Sequence, residues 1–111
     1  MKEEIYMDVT YRIGTSAKDN WDIIDNSEDE WLWFHLDDLP SPHVIINSSL
    51  KDLKKKNNHL HLLKYAAILC KQNSKYKSEK VDIIWTQVSN LKKTSITGEV
   101  NVRGNIKKLR I

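Results

Sequence analysis

Three short runs of β-branched and aromatic residues limit the folds open to this chain. They are WLWFHL at residues 31–36, HVIIN at 43–47 and VDIIWT at 81–86. Runs of five or six such residues, bounded by polar or proline-rich segments, are typical of buried β-strands. A fourth segment, from Ile5 to Ile13, alternates apolar and polar residues. This alternation predicts one half-buried strand that ends at Gly14.

Helical segments separate these strands. Ser16 followed by Asp19 resembles a capping box, which predicts a short helix through Ile24. Ser49 and Asp52 resemble a second helix start. A longer helix is predicted from about residue 58 to residue 71, because apolar residues recur there at helical spacing. The residues expected to form its buried face are Leu60, Leu63, Ala67 and Cys70.

The end of the chain is rich in β-forming residues interrupted by turn formers. GEVNV at residues 98–102 and KKLRI at 107–111 are predicted to pair as a hairpin around Arg103, Gly104 and Asn105. All elements together predict an α+β fold. We expect a single small domain over residues 1–111, with a mostly antiparallel sheet of about five to six strands and two to three helices packed on it.

The charges are separated along the chain. Residues 1–42 carry three basic and eleven acidic residues, a net charge of −8, whereas residues 43–111 carry fifteen basic and four acidic residues, a net charge of +11. Such asymmetry favours a partner of one sign on one surface. The alternative is that the acidic segment folds back and neutralises the lysines. A basic stripe is expected on the long helix from Lys64 and Lys71, extended by Lys75.

Several classes of function are disfavoured. No apolar run reaches the roughly 20 residues that cross a bilayer, and no signal peptide is recognisable, so we expect a cytoplasmic protein that does not contact a membrane. A lone cysteine, Cys70, excludes an internal disulfide. His59 and His61 point to different sides of a helix, so no metal site or other cofactor is expected. Ser41, His43 and Asp38 lack a nucleophile elbow, and no phosphate-binding loop is present, so no catalytic residue is assigned.

An ordered series of motifs resembles a known family. The motifs are Gly14-x-x-Ala17-x-x-Asn20, Trp33-x-His35, Ser41-x-His43-Val44, a helix containing Ala66-Ala67, and VDIIWT followed by SNLKKT at residues 89–94. Their order and spacing, over about residues 6–111, resemble the NFACT-R family of RNA-binding domains. The SNLKKT stretch is most similar to the stand-alone eukaryotic branch that contains a coiled coil.

The resemblance implies a non-enzymatic RNA-binding module. Multidomain members contact tRNA and the ribosome in ribosome quality control, so tRNA or ribosomal RNA are the expected partners, together with ribosome-associated proteins. We expect these 111 residues to contain neither the large N-terminal module nor the coiled-coil arm of those factors. Recruitment of charged tRNA to stalled ribosomes is therefore not transferred to this chain.

Basic residues in the C-terminal part are candidates for phosphate contacts. Lys92 and Lys93 are expected in a polar loop after the VDIIWT strand, where lysines among hydroxyl and amide donors suit phosphate oxygens. Arg103, Lys107 and Lys108 are expected on the final hairpin, where Arg103 could bind a phosphate bidentately. Competing interpretations are a solvated loop for the first pair and a charged edge that discourages aggregation for the second group.

Histidines and tryptophans near the proline turn are candidates for base contacts. His35 and His43 could stack on a base or hydrogen-bond a phosphate, or could be structural histidines satisfied by Asp37, Asp38 or the backbone. Trp31 and Trp33 share one strand face, which is either an exposed stacking surface or part of the core. Asn20 from the first motif, Arg12 and Lys75 complete the candidate nucleic-acid-binding residues.

The sequence therefore predicts RNA binding of low sequence specificity. Two alternatives remain at this point. The basic face could dock an acidic protein partner, or the same surface could bind DNA. The oligomeric state does not follow from the sequence.

Overall fold

A computed structural model describes residues 1–111 as three layers, and the predicted α+β class is confirmed. The central layer is a six-stranded antiparallel sheet with the order β1-β2-β4-β3-β5-β8, and a separate two-stranded sheet pairs β6 with β7. The strands are β1 (Lys2–Tyr6), β2 (Val9–Ile13), β3 (Trp31–Leu36), β4 (Val44–Ser49), β5 (Asp82–Gln87), β6 (Leu91–Lys93), β7 (Val100–Val102) and β8 (Lys107–Arg110). The helices are α1 (Ala17–Asp25), α2 (Leu50–Leu53) and α3 (His59–Gln72).

Local sequence signals locate the helix starts. Ser16 caps α1 by accepting a hydrogen bond from the backbone N–H of Asp19, and Ser49 caps α2 in the same way through Asp52. Such caps satisfy amides that have no partner within the helix. No helix of the structure is long and apolar enough to span a membrane.

The main core lies between α3 and one face of the large sheet. Alternate residues of β3 face it, so Leu32, Phe34 and Leu36 are fully buried there together with Leu62 and Ala66 of α3. The predicted helix face was wrong at one position, because Leu60 is 71% exposed. Leu60 lies outside the buried face of α3. That face consists of Leu62, Leu63, Ala66, Ala67, Leu69 and Cys70.

A smaller apolar cluster covers the opposite face of the sheet. It contains Ile23 of α1, Trp33, Ile45 and Val88, with Leu91, Val100 and Val102 of the small sheet packed against it. Both faces of the sheet are therefore covered. Trp33 is only 2% exposed, so it is a core residue.

Two sequence predictions about strands were wrong. The segment from Ile5 to Ile13 is a hairpin, because Met7 and Asp8 adopt positive φ values of 51° and 65° and reverse the chain. The register pairs Tyr6 with Val9, so Tyr6 packs against the core beside Val9 and Tyr11, whereas Ile5 is 72% exposed. The uninterrupted alternation from Ile5 to Ile13 in the sequence does not reveal this turn.

The predicted hairpin between residues 98–102 and 107–111 does not form. β7 pairs with β6, and β8 pairs with β5. The two segments bury their apolar side chains on opposite faces of the large sheet: Val100 and Val102 join the smaller cluster, whereas Leu109 and Ile111 join the main core. A direct hairpin would place both pairs on one face.

Candidate nucleic-acid interface

A basic groove lies between the start of α1, the proline turn and the segment after α3. Its volume is about 710 Å³, and its charged lining residues are Lys2, Lys75 and Lys77, with no carboxylate among the lining residues. All three lysines are exposed. Lys75 and Asn20, two of the sequence candidates, line this groove, whereas Lys2 and Lys77 were missed.

Hydrogen bonds fix the turn that presents these lysines. The Asn73 side-chain amide donates to the Leu69 carbonyl at 2.8 Å and ends α3, and Ser74 Oγ donates to the Lys71 carbonyl at 2.7 Å. Lys2 Nζ donates to Asn73 Oδ1 at 2.8 Å, which joins the first strand to this turn. Because α3 ends at Gln72, Lys75 does not extend the helical stripe of Lys64 and Lys71 but turns into the groove.

Asn20 acts as a clamp at the wall of the groove. Its Oδ1 accepts a hydrogen bond from the His43 backbone N–H at 3.1 Å, and the Gly14 N–H donates to the His43 carbonyl at 2.9 Å. A Cβ on Gly14 would lie 1.9 Å from Asn20 Oδ1. The Gly14 and Asn20 positions of the first motif therefore have a packing explanation, which is close approach between α1 and the ends of β2 and β4.

A second cavity of about 610 Å³ adjoins the groove, and both share Ala17, Asn20, Pro40 and Ser41. Its walls include the side chains of Trp33, His35, His43 and Ile84. Its carboxylates are Asp37, Asp38 and Glu99. The cavity is thus aromatic and rich in acceptors, whereas the adjoining groove is basic.

His43 is enclosed and held in one tautomer. It is 3% exposed, and its Nδ1 accepts the Trp33 indole N–H at 3.0 Å. Burial, followed by repulsion from His35, lowers the pKa of His43 to about 3, against an opposing effect of the Gly98 backbone. His43 is therefore neutral at physiological pH. Of the two alternatives for each residue, the structure favours a core tryptophan and a structural histidine, because Trp33 and His43 are only 2% and 3% exposed.

His35 differs from His43 because it is only half-buried. Its ring stacks on Trp33 with centroids 5.6 Å apart and an interplanar angle of 13°. His35 Nδ1 lies 2.6 Å from the Leu36 carbonyl oxygen, which can only accept, so Nδ1 carries the proton. Nε2 is left as a free acceptor with no partner in the chain. Burial lowers the pKa of His35, partly offset by the Leu36 carbonyl and by Asp37.

Lys92 and Lys93 lie in β6 and not in a loop, which corrects the sequence prediction. Lys93 points inward, forms an ion pair with Asp25 at 2.7 Å and lies 5.1 Å from the centre of the Trp21 ring. Lys92 points outward by strand alternation. The register pairs Leu91 with Val102, which places Arg103 on the same outer face as Lys92.

Lys107 and Lys108 lie on β8, the edge strand of the large sheet. Lys108 forms an ion pair with Asp37 at 2.9 Å. In the strand register Lys108 lies opposite Ile84 of β5, and Ile84 lies opposite His35 of β3, so the three side chains share the cavity face of the sheet. Lys107 lies on the other face and forms no ion pair. The ion pairs of Lys93 and Lys108 with Asp25 and Asp37 show that the acidic N-terminal part does fold back onto the basic part.

Arg12 lies apart from the groove and the cavity. Its Nε is 3.4 Å from a Glu3 carboxylate oxygen, and its guanidinium lies 5.7 Å from the centre of the Trp31 ring. It lines a different pocket, together with Asp19 and Asp22. The structure therefore does not bring Arg12 together with the other candidates.

The two lysines that sequence reasoning missed carry no local signal. Lys2 lies in an exposed strand and Lys77 in a polar turn, 75 residues apart along the chain. Only the contact between Lys2 and Asn73 brings them to one groove. No group of three or more histidine, cysteine, aspartate or glutamate residues is positioned to hold a metal ion.

Comparisons with known proteins agree on one family. The family model described as NFACT protein RNA binding domain matches residues 6–107. Coiled-coil domain-containing protein 25 of Bos taurus is 33% identical over 93 residues, which cover 78% of this chain and 42% of that protein, and the Mus musculus protein gives the same values. The Dictyostelium discoideum homolog is 36% identical over 86 residues, covering 75% of this chain and 41% of that protein.

A solved structure shares the fold. It is the C-terminal part of the fibronectin/fibrinogen-binding protein from Streptococcus suis, which superposes with a TM-score of 0.83 at 24% identity and covers 99% of this chain and 44% of that chain. The chain spans about two-fifths of the length of the curated relatives it matches.

Proposed function

This chain belongs to the family of NFACT RNA-binding domains, and from that premise we propose that it is a non-enzymatic module that binds RNA through the basic groove. The family is defined by RNA binding and not by catalysis, and the resemblance found in the sequence is thereby confirmed.

The observation that carries this proposal is the charge of the groove. Three lysines, Lys2, Lys75 and Lys77, line it without a single lining carboxylate, although the chain as a whole carries 15 acidic residues. Lysines bind phosphate as point charges and release condensed counterions when they do so. Contacts of this kind position a strand without reading its sequence. Low sequence specificity follows for the groove by itself.

The outer face of the small sheet carries further basic side chains. Among the six basic residues from Lys92 to Arg110, those that form no ion pair are Lys92, Arg103 and Lys107, in contrast to Lys93, Lys108 and Arg110. An exposed cation that forms no ion pair can contact a phosphate without first breaking a salt bridge. We therefore assign Lys92 and Arg103 as a secondary contact for a strand that extends beyond the groove.

The finer function is proposed from the family. We propose tRNA or ribosomal RNA as the partner, in contact with ribosome-associated proteins, in translation or ribosome quality control in the cytoplasm. The matched relatives are more than twice as long as the segment that aligns with this chain. The activities of those whole proteins are therefore proposals for this chain.

The test compares three polyanions at matched salt. Fluorescence anisotropy with a single-stranded RNA, the DNA of the same sequence and a polyglutamate peptide separates RNA binding from DNA binding and from docking of an acidic protein. We expect the RNA affinity to fall with salt by roughly 0.7 log units per log unit for each phosphate contact. Tighter binding of polyglutamate than of RNA at every salt concentration would replace this proposal with an acidic protein partner.

A further inference from the structure

The aromatic cavity beside the groove is not suited to phosphate binding. Its carboxylates, Asp37, Asp38 and Glu99, disfavour a phosphate inside it. Its walls nevertheless contain the edges of Trp33 and His43, the half-buried ring of His35, and the apolar side chain of Ile84. A cavity with planar apolar walls and polar rims suits a flat, uncharged heteroaromatic ligand.

The cavity contains two free hydrogen-bond acceptors. His35 Nε2 has no partner because Nδ1 carries the proton and donates to the Leu36 carbonyl. Asp38 is exposed and forms no ion pair, whereas Asp37 is engaged by Lys108. Among the donors, the Trp33 indole and Ser41 Oγ are already used, whereas the amide nitrogen of Asn20 and the hydroxyl of Thr97 form no hydrogen bond. A ligand that pairs with His35 and Asp38 must therefore supply donors.

The cavity adjoins the basic groove. Ala17, Asn20, Pro40 and Ser41 line both, so the place for a flat ring lies next to the place for a phosphate. In single-stranded RNA the base projects from the same nucleotide whose phosphate a lysine would hold. Bases with amino donors on their Watson–Crick edge suit the acceptors of His35 and Asp38, and guanine presents two neighbouring donors, N1–H and the 2-amino group.

We propose that this cavity is a nucleobase pocket that accepts one unpaired base with amino donors, guanine foremost, from a strand whose phosphates lie in the adjoining groove. The pocket deepens the proposed RNA-binding function and rests on it. His35 hydrogen-bonds the Watson–Crick edge through Nε2, and Asp38 accepts a second donor. The pocket gives the module a preference at one nucleotide position while the groove remains indifferent to sequence.

The experiment uses the unmodified chain and three ten-nucleotide RNAs of uridines that differ only in one central residue, which is guanosine, uridine or an abasic ribose. All three carry the same phosphates, so the groove contributes equally to each. We expect the guanosine strand to bind about tenfold more tightly than the abasic strand, within the range known for one base placed against aromatic side chains. In heteronuclear NMR, the guanosine strand should shift the Trp33 indole N–H, which reports on the cavity wall.

A variant then assigns the preference to this cavity. His35→Phe keeps a ring on Trp33 but removes the Nε2 acceptor, so its affinity for the abasic strand should match that of the unmodified chain while most of the guanosine preference is lost. If this variant is destabilised in a melting experiment, Asp38→Gly tests the second acceptor, because glycine removes the carboxylate and accommodates the positive φ of 57° at this exposed position.

The outcomes separate the two proposals. Equal affinity of the unmodified chain for all three strands overturns the base pocket and leaves phosphate binding intact. Absence of binding to any of them removes the RNA-binding proposal and the pocket with it. A guanosine preference that persists in both folded variants overturns the assignment to this cavity.

Discussion

Trp33 and His43 hydrogen-bond each other through the indole N–H and the imidazole Nδ1 at 3.0 Å, with both side chains almost completely buried. Their rings meet edge to face, with centroids 5.5 Å apart. The pair joins β3 to the start of β4, and the His43 backbone is held in turn by Gly14 and Asn20. These hydrogen bonds fix the relative positions of β3, the start of β4, α1 and the end of β2. Residues of these segments line the groove and the cavity, so the same contacts set the shape of both.

His43 should make the protein sensitive to acid. Its pKa is about 3 when folded, against an ordinary value of about 6.5, so below pH 6.5 the unfolded chain binds a proton that the folded chain does not. Stability from this residue is thus complete above about pH 6.5 and is lost as the pH falls towards 3, by about 1.4 kcal/mol per pH unit. The lowered pKa of His35 acts with the same sign.

Urea unfolding of the unmodified chain and of His43→Asn between pH 7.5 and 4.5 measures this contribution. The difference in unfolding free energy between the two should shrink as the pH falls, because only the unmodified chain loses the His43 contribution. Titration of carboxylates cancels in this comparison. A difference that stays constant across the range would contradict a neutral, buried His43.

Removing the groove lysines should weaken RNA binding without unfolding the protein. In Lys75→Ala with Lys77→Ala, two exposed cations are lost from a carboxylate-free surface, so the salt slope on single-stranded RNA should fall by about 1.4. Stability should change by less than about 0.5 kcal/mol. The matched control is Lys54→Ala with Lys56→Ala, two exposed lysines outside the groove that form no ion pair. If both double variants lower the slope equally, the groove has no special role.

Substitutions in the small sheet should distinguish basic residues that bind RNA from a lysine that stabilises the fold. Lys92→Ala with Arg103→Ala removes two unpaired, outward cations, and a modest loss of RNA affinity is expected with unchanged thermal stability. Lys93→Ala removes the ion pair with Asp25 and the contact with Trp21, so it should lower stability slightly. Anisotropy and thermal melting on the same preparations distinguish them. The reverse ranking of RNA affinities would reassign the contact to Lys93.

Gly98 should be far less tolerant of substitution than Gly104. Both have positive φ, 88° and 77°, so alanine is strained at either position by roughly 1 kcal/mol. A Cβ at Gly98 would also lie 2.9 Å from the Ala17 backbone, whereas at Gly104 the nearest atoms are 3.6 Å away. Gly98→Ala should therefore loosen the loop over the cavity and cost more stability, measured by melting and by amide exchange of β6 and β7. Equal costs would mean that the loop does not need this close approach.

Cys70 should be inert in the folded protein. The thiol is fully buried, and burial raises its pKa. Because only the thiolate is nucleophilic, a thiol reagent should modify Cys70 at the rate of unfolding. Cys70→Ala should cost about 1 kcal/mol, since a buried thiol packs as a small apolar group. Rapid modification under native conditions would show that the core opens there.

Elements with local signals could be predicted from the sequence. The strand at residues 31–36 begins and ends where its aromatic run predicts, and the side-chain oxygens of Ser16 and Ser49 cap the helices they were expected to start. The alternating sequence of β8 also matches its burial, because Leu109 and Ile111 pack against the core while Lys108 and Arg110 are exposed. Caps and side-chain alternation depend on residues within a few positions, so one sequence is enough to predict them.

Strand pairing and the availability of side chains for binding could not be predicted in this way. β7 pairs with β6 and not with β8, because β7 and β8 bury their apolar side chains on opposite faces of the large sheet. Trp33 is enclosed because α1 and the small sheet cover its face. The groove likewise combines Lys2 of the first strand with Lys75 and Lys77 of the turn after α3, which are distant in the sequence. These outcomes depend on apolar area buried between segments distant in the chain, a term that no local pattern contains.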